Sequence, residues 1–309
     1  MSSREPTWGS VWATAQDSVR VQRRQYIKAS TPHPAKMAPA IARHAIYAYS
    51  SPGDVVLDPM CGIGTTVAEA LRAGRHAIGV ELEPRWAAVA AANMQQARHP
   101  GLSATLLTGD ARDLDVLFPD MYDRVDLVVT SPPYGSAVHG RVMTARDLPT
   151  APRIVRFHRE YGTDRGNLAH QPLPLLLENL VAILTGCRIL LTPHGRVVVV
   201  TRPFRVRGEL VDLPGLVIAA GRQAGLVLAE RCVALLAAWR GGRLFSRPSF
   251  FALDNARRSA VAGRPVAVVV HEDVCVFTRP QRTTRAGGRA STARGIEPSS
   301  LLPDVGATS

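Results

Sequence analysis

The feature that most constrains this chain is a repeated unit: a short apolar run closing on a polar or acidic residue, then a turn, then a helix-like stretch. Val55-Val56-Leu57-Asp58 is the first run, His76-Ala77-Ile78-Gly79-Val80-Glu81 the second, Ala104–Thr108 closed by Gly109-Asp110 the third, and Asp126–Thr130 the fourth. Between them, residues 65–73 and the Ala-rich stretch from Pro84 to about residue 97 have helical patterning, and proline suits a first helical turn. Further on the pattern continues with helix 173–191, strand 196–201, helix 213–224 and strands 226–236 and 266–277. Strands alternating with helices predict an α/β fold: a mostly parallel, seven-stranded sheet with helices on both faces.

The rest of the composition narrows the class. A net charge of +12 points to a polyanionic partner, although Lys28 and Lys36 are the only lysines, so arginine carries nearly all of it. Cys61, Cys187, Cys232 and Cys275 lie far apart without CxxC spacing, which suits a reducing compartment and suggests neither zinc site nor disulfide framework. The polar N-terminus, with Trp8 and Trp12, lacks the apolar core of a signal peptide. The longest apolar stretch, 173–191, contains Glu178, Asn179 and Arg188 and reads as an amphipathic helix. A soluble, cytoplasmic protein with no membrane partner is expected.

Two loops carry chemistry. Between the first strand and its helix, Pro59-Met60-Cys61-Gly62-Ile63-Gly64-Thr65-Thr66 offers glycines that let a ligand lie against backbone, and a helix start with free N–H groups. Glu81, ending the next strand, is placed to grip a ribose diol, and Asp110, ending the third, to accept from an adenine amine. Asp58 adds a negative charge beside the loop. No Walker lysine is present, and three acids suit a ligand with ribose, adenine and a sulfonium better than they suit NAD. The second loop is Ser131-Pro132-Pro133-Tyr134. Two prolines donate no backbone hydrogen bond and fix φ, so the chain leaves its strand stiffly, with carbonyls outward. That makes either an ordinary strand exit or a shelf on which Ser131 and a carbonyl accept from an amine and Tyr134 stacks on its ring.

Together, Asp58-Pro59-Met60-Cys61-Gly62-Ile63-Gly64-Thr65-Thr66 and Ser131-Pro132-Pro133-Tyr134 resemble the amino-methylating DNA methyltransferases, the N4-cytosine/N6-adenine group. The resemblance runs over about residues 31–278 and includes His33-Pro34-Ala35-Lys36-Met37-Ala38-Pro39, similar to the segment that covers the methionine end of the cofactor in that group. It implies a Rossmann-like methyltransferase fold and S-adenosylmethionine as cofactor. Asp58, Gly62 and Gly64 would bind its methionine moiety, Glu81 its ribose and Asp110 its adenine, with Cys61, Thr65 and Thr66 also in the cofactor-binding set. Ser131, Pro132, Pro133 and Tyr134 would hold the target amine of a base flipped out of double-stranded DNA. Serine at the head of that loop leans towards cytosine N4. Adenine N6, an RNA guanine-N2 activity and a silent nucleic-acid binder are the alternatives. A restriction-modification setting fits the first two.

The chain departs from many members of that group in order, its cofactor loop preceding its catalytic loop, and in lacking an evident target-recognition domain. Candidate nucleic-acid contacts are His139, Arg141 and Arg146 in a basic insertion over about 135–171, and Arg243 and Arg247 in a second over about 240–265. Residues 1–30 read as a basic arm, 31–279 as the methyltransferase domain and 280–309 as a disordered tail. His271-Glu272-Asp273 has Cys275 where a zinc motif needs its second histidine, so no metal is expected and the triplet receives no role.

Overall fold

The computed structural model describes residues 8–136, 141–144, 154–157, 161–206, 208–248 and 250–280. The elements run β1 (Val11–Trp12), α1 (Val19–Gln22), α2 (Pro39–Tyr49), β2 (Val55–Asp58), α3 (Thr65–Arg72), β3 (His76–Glu81), α4 (Pro84–Gln96), β4 (Ala104–Thr108), α5 (Leu114–Leu117) and β5 (Val125–Thr130). There follow β6 (Arg141–Thr144), β7 (Ile154–Phe157), α6 (Leu173–Leu190), β8 (Leu191–Thr201), β9 (Phe204–Val206), β10 (Glu209–Val211), α7 (Leu213–Gln223), β11 (Val227–Leu235), β12 (Ala237–Arg240), β13 (Arg243–Ser246), α8 (Phe250–Val261) and β14 (His271–Thr278).

The central sheet has the order β1-β11-β14-β8-β5-β2-β3-β4. It holds the seven anticipated strands plus the two-residue β1 at one edge, paired in parallel with Val233 and Ala234. The strands β4, β3, β2, β5 and β8 are parallel neighbours, whereas β14 is antiparallel to both β8 and β11. The carboxyl ends of β2, β3, β5 and β8 therefore share one rim, and β14 begins at that rim. The chain reverses its direction of spread between β2 and β5, the switch point where such sheets form a ligand crevice.

Period-two alternation sorts the strand side chains onto two faces. Leu127, Val129, Val198, Val200, Val274 and Val276 pack with residues of α2, α3 and α4. On the other face, Val128, Val197, Val199, Cys275 and Phe277 pack with residues of α5, α6 and α7. The helix α6 is long and apolar enough to cross a membrane by length and composition. Here it lays Leu176, Leu180, Ile183, Leu184 and Leu190 into that second face. All four cysteines are buried and free.

The segment read as a basic arm is part of the fold from residue 8 onward. Trp12 is buried and stacks on His44 of α2. Tyr26 donates to Glu69 of α3 at 2.8 Å, and Arg43 and Arg72 pair with the same buried carboxylate. Of the arginines that make this stretch basic, Arg23 turns inward to donate to the carbonyls of Lys36 and Met37. The tail lies outside the described residues after Pro280.

Candidate functional site

A cavity of about 1110 Å3 opens at the rim, and both loops line it. On its donor side, Gly62 and Gly64 adopt φ of +55° and +78°, which glycine meets without strain. A Cβ on Gly64 would come within 3.1 Å of Ala90 Cα, and one on Gly62 within 3.3 Å of His33 Nε2, so the backbone is packed as tightly as it can be. The Gly62 N–H donates to Glu81 at 2.7 Å and the Glu83 N–H to the other Glu81 oxygen at 3.0 Å. Asp58 accepts from the Met60 N–H at 3.1 Å.

Asp58 and Glu81 are both buried, and neither has an ion-pair partner among the described residues. Burial pushes Asp58 up to about 6 and Glu81 up to about 7, against the pull of their backbone hydrogen bonds. Two buried, uncompensated carboxyl groups beside a glycine cradle are groups that a cationic cofactor would neutralise. This donor set fits S-adenosylmethionine.

Asp110 sits half-buried on the cavity wall. Its burial would raise its pKa, but hydrogen bonds from Arg112 outweigh that and hold the carboxyl low. Arg112 engages both oxygens and reaches Asn179 at 3.2 Å. An adenine amine at this wall would meet an ion pair rather than a lone carboxylate. Thr65 and Thr66 are buried in the first turn of α3, where Thr66 donates to the Val129 carbonyl at 3.3 Å. Cys61 is also buried, and its N–H donates to the Val80 carbonyl at 2.9 Å.

The roof comes from two segments. His33 packs edge-on against Trp86 and Tyr161, with ring centroids at 4.6 and 5.5 Å. Burial depresses its pKa to about 3, so it is neutral, and its Nδ1 is buried without a hydrogen-bond partner among the described residues. Tyr161 opens a return segment that Glu83 clamps: its carboxylate accepts from Thr163 N–H, Asp164 N–H and Asn167 Nδ2, the last at 2.8 Å.

On the acceptor side, Ser131 to Tyr134 continue directly from β5. After them Gly135, at φ +76°, turns the chain so that Ser136 N–H donates to the Gln171 carbonyl at 2.9 Å. The Tyr134 ring lies parallel to Phe204, with centroids 6.0 Å apart, and the Arg202 guanidinium stands 5.8 Å from its centre. Its hydroxyl donates to Glu272 at 3.4 Å. Burial in this corner raises the Tyr134 phenol well above its ordinary range and lifts Glu272 to about 7.

The structure thus brings together Asp58, Cys61, Gly62, Thr65, Glu81, Asp110, Ser131, Pro132, Pro133 and Tyr134 on one cavity, whereas Gly64, packed on Ala90, and the buried Thr66 stand behind its lining. Of the basic residues expected to contact nucleic acid, Arg247 lines the cavity and Arg243 stands exposed on β13 beside Leu244 and Phe245. Arg141 begins β6, while His139 and Arg146 lie outside the described residues. Sequence reasoning missed Arg202, Phe204, Glu272, Tyr161 and Glu83. The Glu272 triplet was visible, but the antiparallel course of β14, which carries it to the rim, was not.

Residues 1–92 match the DNA methylase family model of N6/N4 methyltransferases, a stretch that holds Asp58 to Glu81 and ends before Asp110 and the Ser131–Tyr134 loop. Over this stretch the chain is similar to the N6/N4 DNA methylases. The cofactor that this chain's cradle takes is S-adenosylmethionine. The chain is similar to the tRNA (guanine(10)-N2)-dimethyltransferase of Methanocaldococcus jannaschii, 27% identical over 146 residues, 45% of this chain and 42% of that one. The enzyme of the same name from Methanothermobacter thermautotrophicus is 33% identical over 105 residues, 33% of this chain and 29% of its own length. The chain therefore spans less than half the length of these curated relatives. Among solved structures, precorrin 8w decarboxylase from Methanobacterium thermoautotrophicum aligns at a TM-score of 0.46 and 19% identity, over 82% of this chain and 96% of that one.

Proposed function

We propose that this protein transfers a methyl group from S-adenosylmethionine to an exocyclic amine of a nucleobase in nucleic acid. The observation that carries this reading is that the glycine cradle with its two uncompensated carboxyls and the Ser131–Tyr134 shelf face one cavity. The cofactor supplies an electrophilic methyl group on a cationic sulfur. Gly62 would receive its amino-acid end against the backbone, with Gly64 turning the chain behind it and Asp58 as counter-charge, and Glu81 would hold the ribose and Asp110 the adenine wall.

The protein's remaining task is to make a poor nucleophile attack. An amine conjugated to its ring has a delocalised lone pair. Ser131 Oγ and the Pro132 carbonyl accept its two hydrogens, which turns the nitrogen towards sp3 geometry and frees that pair. Tyr134, backed by Phe204, holds the ring by stacking, so the gain comes mainly from positioning. The surplus proton leaves through the same two acceptors to water. A base can reach this depth only unstacked from its neighbours. No covalent cysteine takes part: Cys61 is buried, and burial raises its thiol far above its ordinary range.

Three bases have support. The DNA methylase match favours cytosine N4 or adenine N6 in DNA, and Ser131 at the head of the loop leans towards cytosine; guanine N2 in RNA is favoured by the two tRNA-modifying relatives. The choice between them falls to the groups that face the ring edge. The class itself is tested by incubating the protein with labelled S-adenosylmethionine and mixed DNA and RNA. Label should enter nucleic acid, and Tyr134→Ala should abolish transfer with cofactor affinity nearly unchanged. Cofactor binding without transfer to either polymer would refute the reading.

A further inference from the structure

Glu272 is a partly buried acid that belongs to neither the cofactor cradle nor the amine-binding loop. Because Asp273 pairs with Thr201 in the antiparallel β14–β8 register, the preceding residue stands beside Arg202, just past the end of β8. One carboxylate oxygen lies 3.4 Å from the Arg202 guanidinium and the other 3.4 Å from the Tyr134 hydroxyl. Both contacts are long. An ion pair drawn partly out of water recovers its desolvation cost only with close geometry and further hydrogen bonds, so this partly buried pair is undercompensated. Arg202, Glu272, Tyr134 and Ser131 line the same cavity. The pair is thus a donor and an acceptor, side by side at the shelf, with bonding capacity to spare.

The three amine-bearing bases differ in the groups that neighbour the amine along the ring edge. In guanine, beyond N2 come N1–H, a donor, and O6, an acceptor. In cytosine, beyond N4 come two acceptors, N3 and O2. In adenine, beyond N6 come the acceptor N1 and then a C–H. A carboxylate next to a guanidinium complements guanine. The same carboxylate would face a lone pair in cytosine or adenine, and an unmatched buried polar group is what gives a site its strongest discrimination.

We propose that Glu272, held by Arg202, reads the ring edge beside the methylated amine and selects guanine, its carboxylate accepting N1–H while Arg202 donates to O6. This rests on the nucleobase-methylation reading. Accepting the N1 proton also pushes electron density towards N2, which assists the same transfer. The groups that set the charge of Glu272 are Arg202 from the end of β8, Tyr134 from the loop after β5 and Asp273 on its own strand. Across the sheet, β11 presents Ala234.

The test uses the full chain, wild type and Glu272→Gln, with labelled S-adenosylmethionine and random-sequence DNA and RNA pools, and ends with digestion and separation of the methylated nucleosides. Wild type should label guanine in preference to cytosine and adenine. Glu272→Gln, whose amide can donate to cytosine N3 or adenine N1, should lower the guanine-to-cytosine ratio by at least about tenfold, while S-adenosylhomocysteine affinity is retained. A wild type that prefers cytosine or adenine overturns the proposal, as does a variant that slows all three bases in parallel. No label on any base refutes instead the nucleobase-methylation reading beneath it. Should the variant fail to fold, the wild-type pH profile decides. The guanine-to-cytosine labelling ratio, in which the effect of Asp58 and Glu81 on cofactor binding cancels, must rise as pH passes through about 7 and Glu272 ionises, and a flat or falling ratio sinks the assignment.

Discussion

Asp58 and Glu81 show how a binding site stores charge. In the ligand-free protein, burial raises the pKa of each, to about 6 and about 7 against roughly 4 in the unfolded chain. Between those limits the folded state holds protons that the unfolded state has released. Stability therefore falls as pH rises from about 4 to about 7. A cationic ligand reverses the sign, because it binds the ionised forms. The melting-temperature gain from S-adenosylmethionine should consequently grow from about pH 5.5 to about pH 8, and should outgrow that from S-adenosylhomocysteine, which lacks the sulfonium charge. Equal gains for both ligands across that range would show that these carboxyls do not serve the sulfur end. The residues of this donor half were legible because the motif is local: strand, glycine turn, helix and the acid one strand later lie close together along the chain, from Asp58 to Glu81. Glu272 was not legible, since its place depends on the direction of a strand, which alternation of side chains does not encode.

At the level of elements, the long connection after Tyr134 was anticipated as a basic insertion, and its two ends are tied down. Ser136 meets Gln171 at its base, and Glu83 clamps residues 163–167 as they return over the cavity. Gly162 is the pivot. A Cβ there would overlap the Glu83 carboxylate, which cannot swing aside without giving up the hydrogen bonds from Thr163, Asp164 and Asn167. Gly162→Ala should therefore cost about 2–3 kcal/mol of stability and weaken cofactor binding, since Tyr161 and His33 lose their mutual packing. Chemical denaturation and calorimetric titration would check this, and an unchanged midpoint with unchanged affinity would mean that the clamp holds nothing. The N-terminal segment was misread for a related reason. It reads as a basic arm, yet Trp12, Tyr26 and Arg23 are packing residues, and their partners lie on α2, α3 and the 36–37 backbone, which a local reading does not reach.

For the molecule as a whole, the sheet order places the cofactor acids, the amine shelf and Glu272 on one rim. Parallel strands β2, β3 and β5 end there with the first two, and antiparallel β14 starts there with the third. Alternating apolar runs made the α/β class and most strand positions readable, because burial on both faces demands them. Which rim positions converge followed only from the strand order. If the donor and acceptor halves on this rim form one site for amine methylation, the product must carry its new methyl on an exocyclic nitrogen. Mass spectrometry of nucleosides released from DNA and RNA treated with the protein and S-adenosylmethionine tests this most directly. A methyl group on an exocyclic nitrogen, with N2-methylguanine foremost, is the expected result. A methyl on a ring carbon, a ring nitrogen or a ribose oxygen would contradict it.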